Sequence, residues 1–324
     1  MKILITGAAG FIGSKMCSEL IKNKKNKVYG VDNLNSYYSV KLKKLRIKEL
    51  NKNKNFKFFK IDLKKNSDFK KINHIDKIDI VYHFAAQAGV RYTLSDPKKY
   101  FDDNIKVFFN LLNFIKNKKI KKLFFASSSS VYGDQKNYPI SEKANLYEKN
   151  FYGFSKKINE YTAKVFSKIY GIQIIGLRFF TVFGEWGRPD MLIFKYLKAN
   201  FTNKKFFLNE NGKHLRDFTY IEDAIKILIK LKNTKFTEKF LVLNICSNKP
   251  IKIISVISRM NKVNKKFRYT AQSSKELKKI EVNITHGNNL KIKKLIKNFK
   301  FTEFDLALSK TINWYVKNKI YKIT

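Results

Sequence analysis

Tyr152 and Lys156 stand four residues apart at the start of the amphipathic run Phe151–Tyr170. A helix over that run puts both side chains on one face. A phenol with a pKa of about 10 is a poor base at neutral pH. A neighbouring ammonium and a cationic nicotinamide ring both favour the phenolate. Such a tyrosine can take a proton from an alcohol, or return it, while hydride moves to or from the ring. Taken singly, the pair also describes an ordinary helix surface. Upstream, Ala126-Ser127-Ser128-Ser129-Ser130-Val131-Tyr132-Gly133 follows the apolar Leu123-Phe124-Phe125. Hydroxyls at the carboxyl end of a strand face the crevice in which doubly wound sheets bind ligands. Four serines there are placed to hydrogen-bond a sugar hydroxyl, or they form a polar turn.

A second group of residues suits a dinucleotide. Thr6-Gly7-Ala8-Ala9-Gly10-Phe11-Ile12-Gly13 follows a strand and opens a helix. The first glycine permits a tight turn, the second a close approach of backbone to pyrophosphate, the third close packing of helix on strand. The helix start then offers free N–H groups and a positive dipole end to phosphate. The spacing is GxxGxxG, which alone also fits a plain tight turn. Asp32 ends the next strand, 19 residues after Gly13. A carboxylate there accepts hydrogen bonds from the adenosine ribose and repels a 2′-phosphate, which favours NAD over NADP.

The elements that must position these groups alternate regularly in the first half. Strands are expected at Lys2–Thr6, Lys27–Val31, Phe56–Lys60, Asp79–His83, Lys122–Ala126 and Ile172–Leu177, and helices at Phe11–Asn23, Pro97–Ile115 and Phe151–Tyr170. Short, nearly continuous apolar strands alternating with helices indicate an α/β fold with a parallel sheet covered on both faces. After about residue 178 the rhythm breaks, although Tyr220–Leu231 and Phe240–Ile245 still read as a helix and a strand of the first unit. The expected division is therefore 1–177, with 218–245 returning to it, and a smaller lobe of 178–217 and 246–324.

Composition removes several classes. The 324 residues are 44% hydrophobic, enough for a large core without disulfides or a structural metal. No run of 18 apolar residues exists, so no membrane-spanning helix is expected. Met1-Lys2-Ile3-Leu4-Ile5-Thr6 is too short for a secretory signal. Two cysteines, Cys17 and Cys246, make neither a disulfide framework nor a zinc site, and they suit a reducing cytoplasm. His74, His83, His214 and His286 form no metal pattern, and His83 reads as structural. The net charge is +43, yet 61 of the 68 cations are Lys, spread along the chain, and only 7 are Arg. Nucleic-acid readers concentrate Arg on one face, so the charge reads as compositional drift rather than a nucleic-acid site.

Together these residues resemble the extended short-chain dehydrogenase/reductase family, and within it the NAD-dependent nucleotide-sugar epimerases. The resemblance runs over nearly the whole chain. It includes Asp62-Leu63, His83-Phe84-Ala85-Ala86-Gln87, Asn104 and Arg216-Asp217-Phe218. Three longer segments are similar to UDP-glucuronate 4-epimerases: Asp32-Asn33-Leu34-Asn35-Ser36-Tyr37-Tyr38 with Leu42-Lys43 and Arg46; Ala85 to Tyr92; and Thr181 to Met191. Four of the seven Arg (Arg91, Arg178, Arg188, Arg216) lie in motif segments, which fits a demand for bidentate recognition of carboxylate or pyrophosphate.

The resemblance implies a doubly wound Rossmann sheet with a smaller C-terminal substrate lobe. Gly7, Gly10, Phe11, Ile12, Gly13, Asp32, Asn33, Asn35, Asp62, Leu63, Ala85, Ala86, Gln87, Asn104, Ser127 and Phe179 would surround NAD, together with Tyr152 and Lys156. Ser128, Tyr152 and Lys156 would be catalytic. Arg91, Ser128, Ser129, Ser130, Thr181, Arg188, Met191, Phe194 and Arg216 would serve the UDP-sugar, the hydroxyls holding a sugar carboxylate. No metal is implied, and relatives of this type are commonly dimers joined through helices near Pro97–Ile115 and Phe151–Tyr170. Trp186 reads either as a pocket wall or as a loop anchor. Lys278-Lys279-Ile280-Glu281-Val282 and Thr285-His286-Gly287-Asn288 depart from the family pattern where the diphosphate site is completed. Alternatives are a 4-epimerase for UDP-N-acetylhexosamine or its uronate, a UDP-glucuronate decarboxylase or dehydratase of the same fold, and a non-catalytic NAD-binding regulator.

Overall fold

The computed structural model describes residues 1–263 and 269–324. Seven strands build the main sheet: β1 (Lys2–Thr6), β2 (Lys27–Asp32), β3 (Phe56–Lys60), β4 (Ile80–His83), β5 (Lys122–Ser128), β6 (Gln173–Phe179) and β10 (Phe240–Ile245). Their spatial order is β10-β6-β5-β4-β1-β2-β3, with every neighbouring pair parallel. The strand order reverses between β1 and β4, and the crevice at that switch point opens beyond the carboxyl ends of the strands.

Why these strands read as unbroken apolar runs follows from burial on both faces. Ile3 and Ile5 point into one core with Tyr82, Phe124 and Leu177, while Leu4 points into a second with Val81, Leu123 and Phe125. The first core is closed by the helices Phe11–Leu20 and Ile221–Asn233, through Met16, Cys17, Ile225 and Leu228. The second is closed by Val107–Ile115 and by Phe151–Tyr170, through Phe108, Leu111, Ala163 and Phe166.

Several boundaries differ from expectation for physical reasons. The helix after the glycine loop ends at Leu20 rather than Asn23, where Asn26 Nδ2 donates to the Leu20 carbonyl at 2.9 Å. The expected single helix Pro97–Ile115 is divided into Lys98–Tyr100, a π-helical turn Phe101–Lys106, and Val107–Ile115. That wider turn lets Asn104 point inward, where its side chain is fully buried. The helix Val40–Asn51 is not evident from hydrophobic periodicity, because two of its inward positions are Lys43 and Arg46.

Past β6 only Phe180 intervenes before β7 (Thr181–Phe183), so the chain leaves the main sheet directly for a second one. β7 pairs in parallel with β9 (Leu215–Tyr220), and β9 pairs antiparallel with β11 (Pro250–Lys252). A third pair joins β8 (Phe207–Asn209) to β12 (Thr270–Gln272). β9 runs through the expected boundary at 217/218 without interruption. Among the described residues, no helix is long and apolar enough to cross a membrane.

Candidate active site

The glycine loop is shaped by exclusion of side chains. Gly7 has φ +71, and a Cβ there would lie 2.7 Å from the Ala85 nitrogen. A Cβ on Gly13 would lie 2.1 Å from the Gly7 carbonyl oxygen. The helix begins at Phe11 with no side-chain cap on Gly10, so its first N–H groups are left for a ligand. Asp32 is buried beside this loop; its Oδ2 accepts from Ala9 N at 3.1 Å and its Oδ1 from Leu34 N at 2.8 Å. Burial pushes its carboxyl up, and those N–H groups, Lys43 and Arg46 pull the other way.

A cleft of ≈ 1340 Å³, counting its open mouth, runs from this loop across the strand ends. Of the expected residues it is lined by Gly7, Gly10, Phe11, Ile12, Gly13, Asp32, Asn33, Asn35, Asp62, Leu63, Ala85, Ala86, Ser127, Ser128, Tyr152, Lys156, Phe179, Arg188 and Met191. The cradle that a Cβ would fill, the buried carboxylate at one end and the cleft's volume fit a dinucleotide.

At the far end, Asn150 caps the helix Phe151–Tyr170 by accepting from Gly153 N at 2.8 Å, which aims Tyr152 and Lys156 into the cleft. The Lys156 ammonium lies 5.8 Å from the centre of the Tyr152 ring. Burial lowers the Lys156 pKa to about 8. Burial raises that of Tyr152, with Arg188 and a hydrogen bond to Ser128 opposing it. Desolvation outweighs the opposing pull of Arg188 and Ser128, so the protein alone disfavours the phenolate.

The Lys156 shift has a measurable consequence in cofactor-free protein. The unfolded lysine titrates near ~10.4. Between pH 8 and that value the unfolded chain holds a proton the folded chain has released, so this group's contribution to stability rises with pH. Below the window its buried charge is a constant penalty. Lys156→Met is thus expected to be more stable than wild type at pH 7, by on the order of 1–3 kcal/mol, with the gap closing towards pH 10. Urea unfolding of both proteins across that range measures it; a gap independent of pH contradicts the assignment.

Other expected residues lie outside the main cleft. Gln87 and Asn104 form a buried support: Asn104 Oδ1 accepts from Gln87 N at 2.7 Å, and Asn104 Nδ2 donates to Ser155 Oγ at 2.9 Å. They join the loop after β4 to the Tyr152 helix. Ser129 and Ser130 form a short 3-10 turn, and Ser128 Oγ lies 3.2 Å from Ser130 Oγ. Thr181 and Phe194 line a smaller cavity that shares Phe11, Arg188 and Met191 with the cleft. Arg91 is exposed. Arg216 Nη1 donates to the carbonyls of Leu215 and Asn283, and Glu281 of the divergent segment bears on its charge.

Arg178 corrects the expectation drawn from arginine usage. Its fork holds Glu160 through Nε (2.9 Å) and Nη2 (2.7 Å), and Nη1 donates to the Tyr132 hydroxyl at 2.8 Å. The demand for a planar bidentate donor is met there by the chain's own carboxylate, away from the cleft. Trp186 is a loop anchor, packed on Trp314 at 4.9 Å. His83 is structural, with Nδ1 2.7 Å from Thr6 Oγ1 and its pKa lowered to about 3 by burial. Among the described residues no cluster could hold a metal ion. Residues of the cleft to which sequence motifs gave no ligand role include Tyr37, Tyr38, Lys43, Phe84, Asp103 and Phe180. The available signal was the aromatic pair of the Asp32–Tyr38 segment.

The chain belongs to the NAD dependent epimerase/dehydratase family, whose profile matches residues 3–246. More particularly, it is 36% identical to "UDP-glucuronate 4-epimerase" of Thermodesulfobacterium geofontis, over 97% of this chain and 96% of that protein. It is also 36% identical to "Protein CapI" of Staphylococcus aureus, over 98% and 99%. The crystal structure of UDP-glucuronic acid 4-epimerase from Bacillus cereus with UDP-glucuronic acid and NAD superposes with a TM-score of 0.90 at 32% identity, covering 98% of this chain and 100% of that one.

Proposed function

We propose that this protein is an NAD-dependent 4-epimerase that interconverts UDP-glucuronate and UDP-galacturonate through a 4-keto sugar. The observation that carries the reading is that Tyr152, Lys156 and Ser128 share one cleft with the glycine loop and Asp32. The likeness to glucuronate epimerases over the full chain supports the choice of sugar.

Gly7 to Gly13 would hold the pyrophosphate of NAD, Asp32 the adenosine ribose, and Ser127, Lys156 and Phe179 the nicotinamide end. NAD, when bound, supplies a ring that accepts hydride from carbon 4 and gives it back. Tyr152 Oη, as the phenolate that the positive charge of bound NAD and of Lys156 would favour over the neutral phenol, would take the proton from the 4-hydroxyl and later return it. Lys156 keeps positive charge beside the phenol, and Ser128 hydrogen-bonds the reacting oxygen. Arg188 lies near enough to Tyr152 to favour its phenolate. Between the two proton transfers the 4-keto sugar turns about its diphosphate linkage and presents its other face, which inverts carbon 4. A 4-ketone beside the carbon-5 carboxylate can lose carbon dioxide; neutral donors such as Ser129, Ser130 and Thr181 suit holding that carboxylate without promoting cleavage. Met191, Phe194, Arg91 and Arg216 would contact the nucleotide portion.

Incubating the purified protein with UDP-glucuronate and separating the sugar nucleotides tests the reading. The expected result is a mixture of the two uronates with no net NADH and no carbon dioxide. Failure to convert UDP-glucuronate, with turnover of another UDP-sugar, overturns the substrate; a persistent keto product overturns the reaction.

The smaller lobe, built largely from 178–217 and 246–324, would carry the UDP-sugar over the 1–177 unit. The protein would act in the cytoplasm, and its two cysteines are free and buried. The UDP-galacturonate formed would feed surface polysaccharide synthesis. It would act as a homodimer, without membrane or nucleic acid. An apolar stripe supports this: Phe154, Tyr161, Val165 and Ile169 follow helical spacing along Phe151–Tyr170, and Phe101 and Phe109 extend the exposed apolar surface. Val165→Glu with Ile169→Glu is expected to convert the dimer to a 38.2 kDa monomer in sedimentation; an unchanged dimer places the interface elsewhere.

A further inference from the structure

Three loops that belong to different parts of the chain meet beside the cleft. The loop after β2 carries Tyr37, whose hydroxyl donates to Asp190 Oδ2 at 2.9 Å. Asp190 belongs to the loop after β7, where its carboxylate also takes Arg188 Nε at 3.1 Å and Nη2 at 2.5 Å. The loop after β4 closes against both: a Cβ on Gly89 would lie 2.9 Å from the Tyr37 hydroxyl and 3.6 Å from Arg188 Nη2.

A second tie lies deeper. Arg46 is 2% exposed, and its guanidinium reaches three segments. Nη1 donates to the carbonyl of Ala9, inside the glycine loop, at 2.8 Å and to the Tyr38 hydroxyl at 2.7 Å. Nη2 donates to the carbonyls of Trp186 at 2.5 Å and Gly187 at 3.2 Å. The loop after β2 is itself stiffened, since Lys43 Nζ donates to Asn35 O at 2.8 Å and to Asn35 Oδ1 at 2.6 Å.

We infer that Tyr37, Asp190 and Arg46 are positioning residues for the dinucleotide, strapping the loops after β2 and β7 together along the cleft so that NAD is retained from one turnover to the next. The inference rests on NAD binding as proposed above. Tyr37 and Arg188 line the same cleft as Phe11, Ile12 and Tyr152, so the strap forms part of the wall around a bound dinucleotide. A ligand behind a hydrogen-bonded wall leaves at the rate at which the wall opens. Retention suits a reaction in which each hydride taken is given back and no exchange of cofactor is needed.

The strap can be cut without emptying the core, because the Tyr37–Asp190 bond lies at the surface. Tyr37→Phe removes one charge-assisted hydrogen bond and keeps the ring. Wild type, Tyr37→Phe and Asp190→Asn are loaded with NAD, freed of excess, and diluted into an enzyme that destroys free NAD. The nucleotide still bound is then measured by chromatography of the denatured protein. Both variants are expected to lose NAD about tenfold faster than wild type or more, while cofactor-free stability in urea falls by no more than the worth of the one hydrogen bond removed. Arg46→Lys, which keeps the charge but not the fork, should fall between them and wild type.

Equal release rates overturn the strap, as does faster release in variants destabilised by more than the loss of one hydrogen bond. The readout uses no sugar. A protein that holds NAD but leaves UDP-glucuronate unchanged refutes the proposed substrate, while its release rates still decide for or against the strap. A wild-type protein that takes up no NAD from saturating solution refutes both.

Discussion

Tyr152→Phe is expected to remain folded and to bind NAD as wild type does, while turnover of UDP-glucuronate falls by roughly 10³-fold. The substitution removes one oxygen and keeps the ring, which packs against Tyr100 at 5.9 Å between centroids. What is lost is the group that, on the proposed mechanism, takes the 4-hydroxyl proton. Ser128, which would hydrogen-bond that oxygen, is itself a weak base, and the Lys156 ammonium carries no free lone pair at neutral pH. The effect should appear in kcat more than in KM, because the proton is in flight only in the transition state. Product separation gives kcat, and nucleotide released on denaturation gives NAD content. Turnover within about tenfold of wild type would remove Tyr152 from the role of proton carrier.

The second large effect concerns stability. Arg178 and Glu160 are 4% and 6% exposed and form a buried pair, with Ser127 Oγ donating to Glu160 Oε1 at 2.5 Å. Arg178→Met leaves the Glu160 carboxylate buried and without its counter-charge. Removing one partner of such a pair costs about 3–5 kcal/mol, whereas replacing both with apolar residues of similar volume is far milder. Arg178→Met should therefore lose stability of that order in urea unfolding, and the double variant Glu160→Leu with Arg178→Met should recover a large part of it. A single variant within about 1 kcal/mol of wild type would show that the pair is screened. Because Ser127 precedes Ser128 at the end of β5, the single variant should also loosen the serines that face the cleft.

The site holds two kinds of residue, those placed by local backbone and those placed by tertiary packing. The structure gathers the glycine loop, Asp32, Ser128, Tyr152 and Lys156 along one cleft, and that placement was legible because it depends on local backbone geometry. A turn that excludes side chains, a strand end, or a helix face with a four-residue period is written within a dozen residues. The parallel sheet was legible for the same reason: Ile3-Leu4-Ile5 and Leu123-Phe124-Phe125 can be apolar without interruption only where both sheet faces are covered. The helix Val40–Asn51 escaped because a hydrophobic pattern treats Lys43 and Arg46 as surface residues, whereas here they are buried at 5% and 2% exposure.

Arg178 and Arg188 show the limit most plainly. Both are arginines in motif segments; the family resemblance assigns only Arg188 to the UDP-sugar, and the residue type by itself does not say which guanidinium turns inward. Register in the sheet sets Ser127 opposite Arg178, and the fold brings Glu160 within reach, so that guanidinium turns inward. Arg188 stays in the cleft wall because Asp190 lies two residues away and Tyr37 is carried to it from the loop after β2. The amino-acid order by itself determined the local elements and the residue types able to do the chemistry, since those depend on backbone periodicity and side-chain pKa. Which charges meet a ligand, which meet one another, and how the loops are tied beside the cleft were decided only by tertiary packing. Those pairings join residues up to 153 positions apart, and desolvation makes a buried charge costly unless it is paired or gives up its charge.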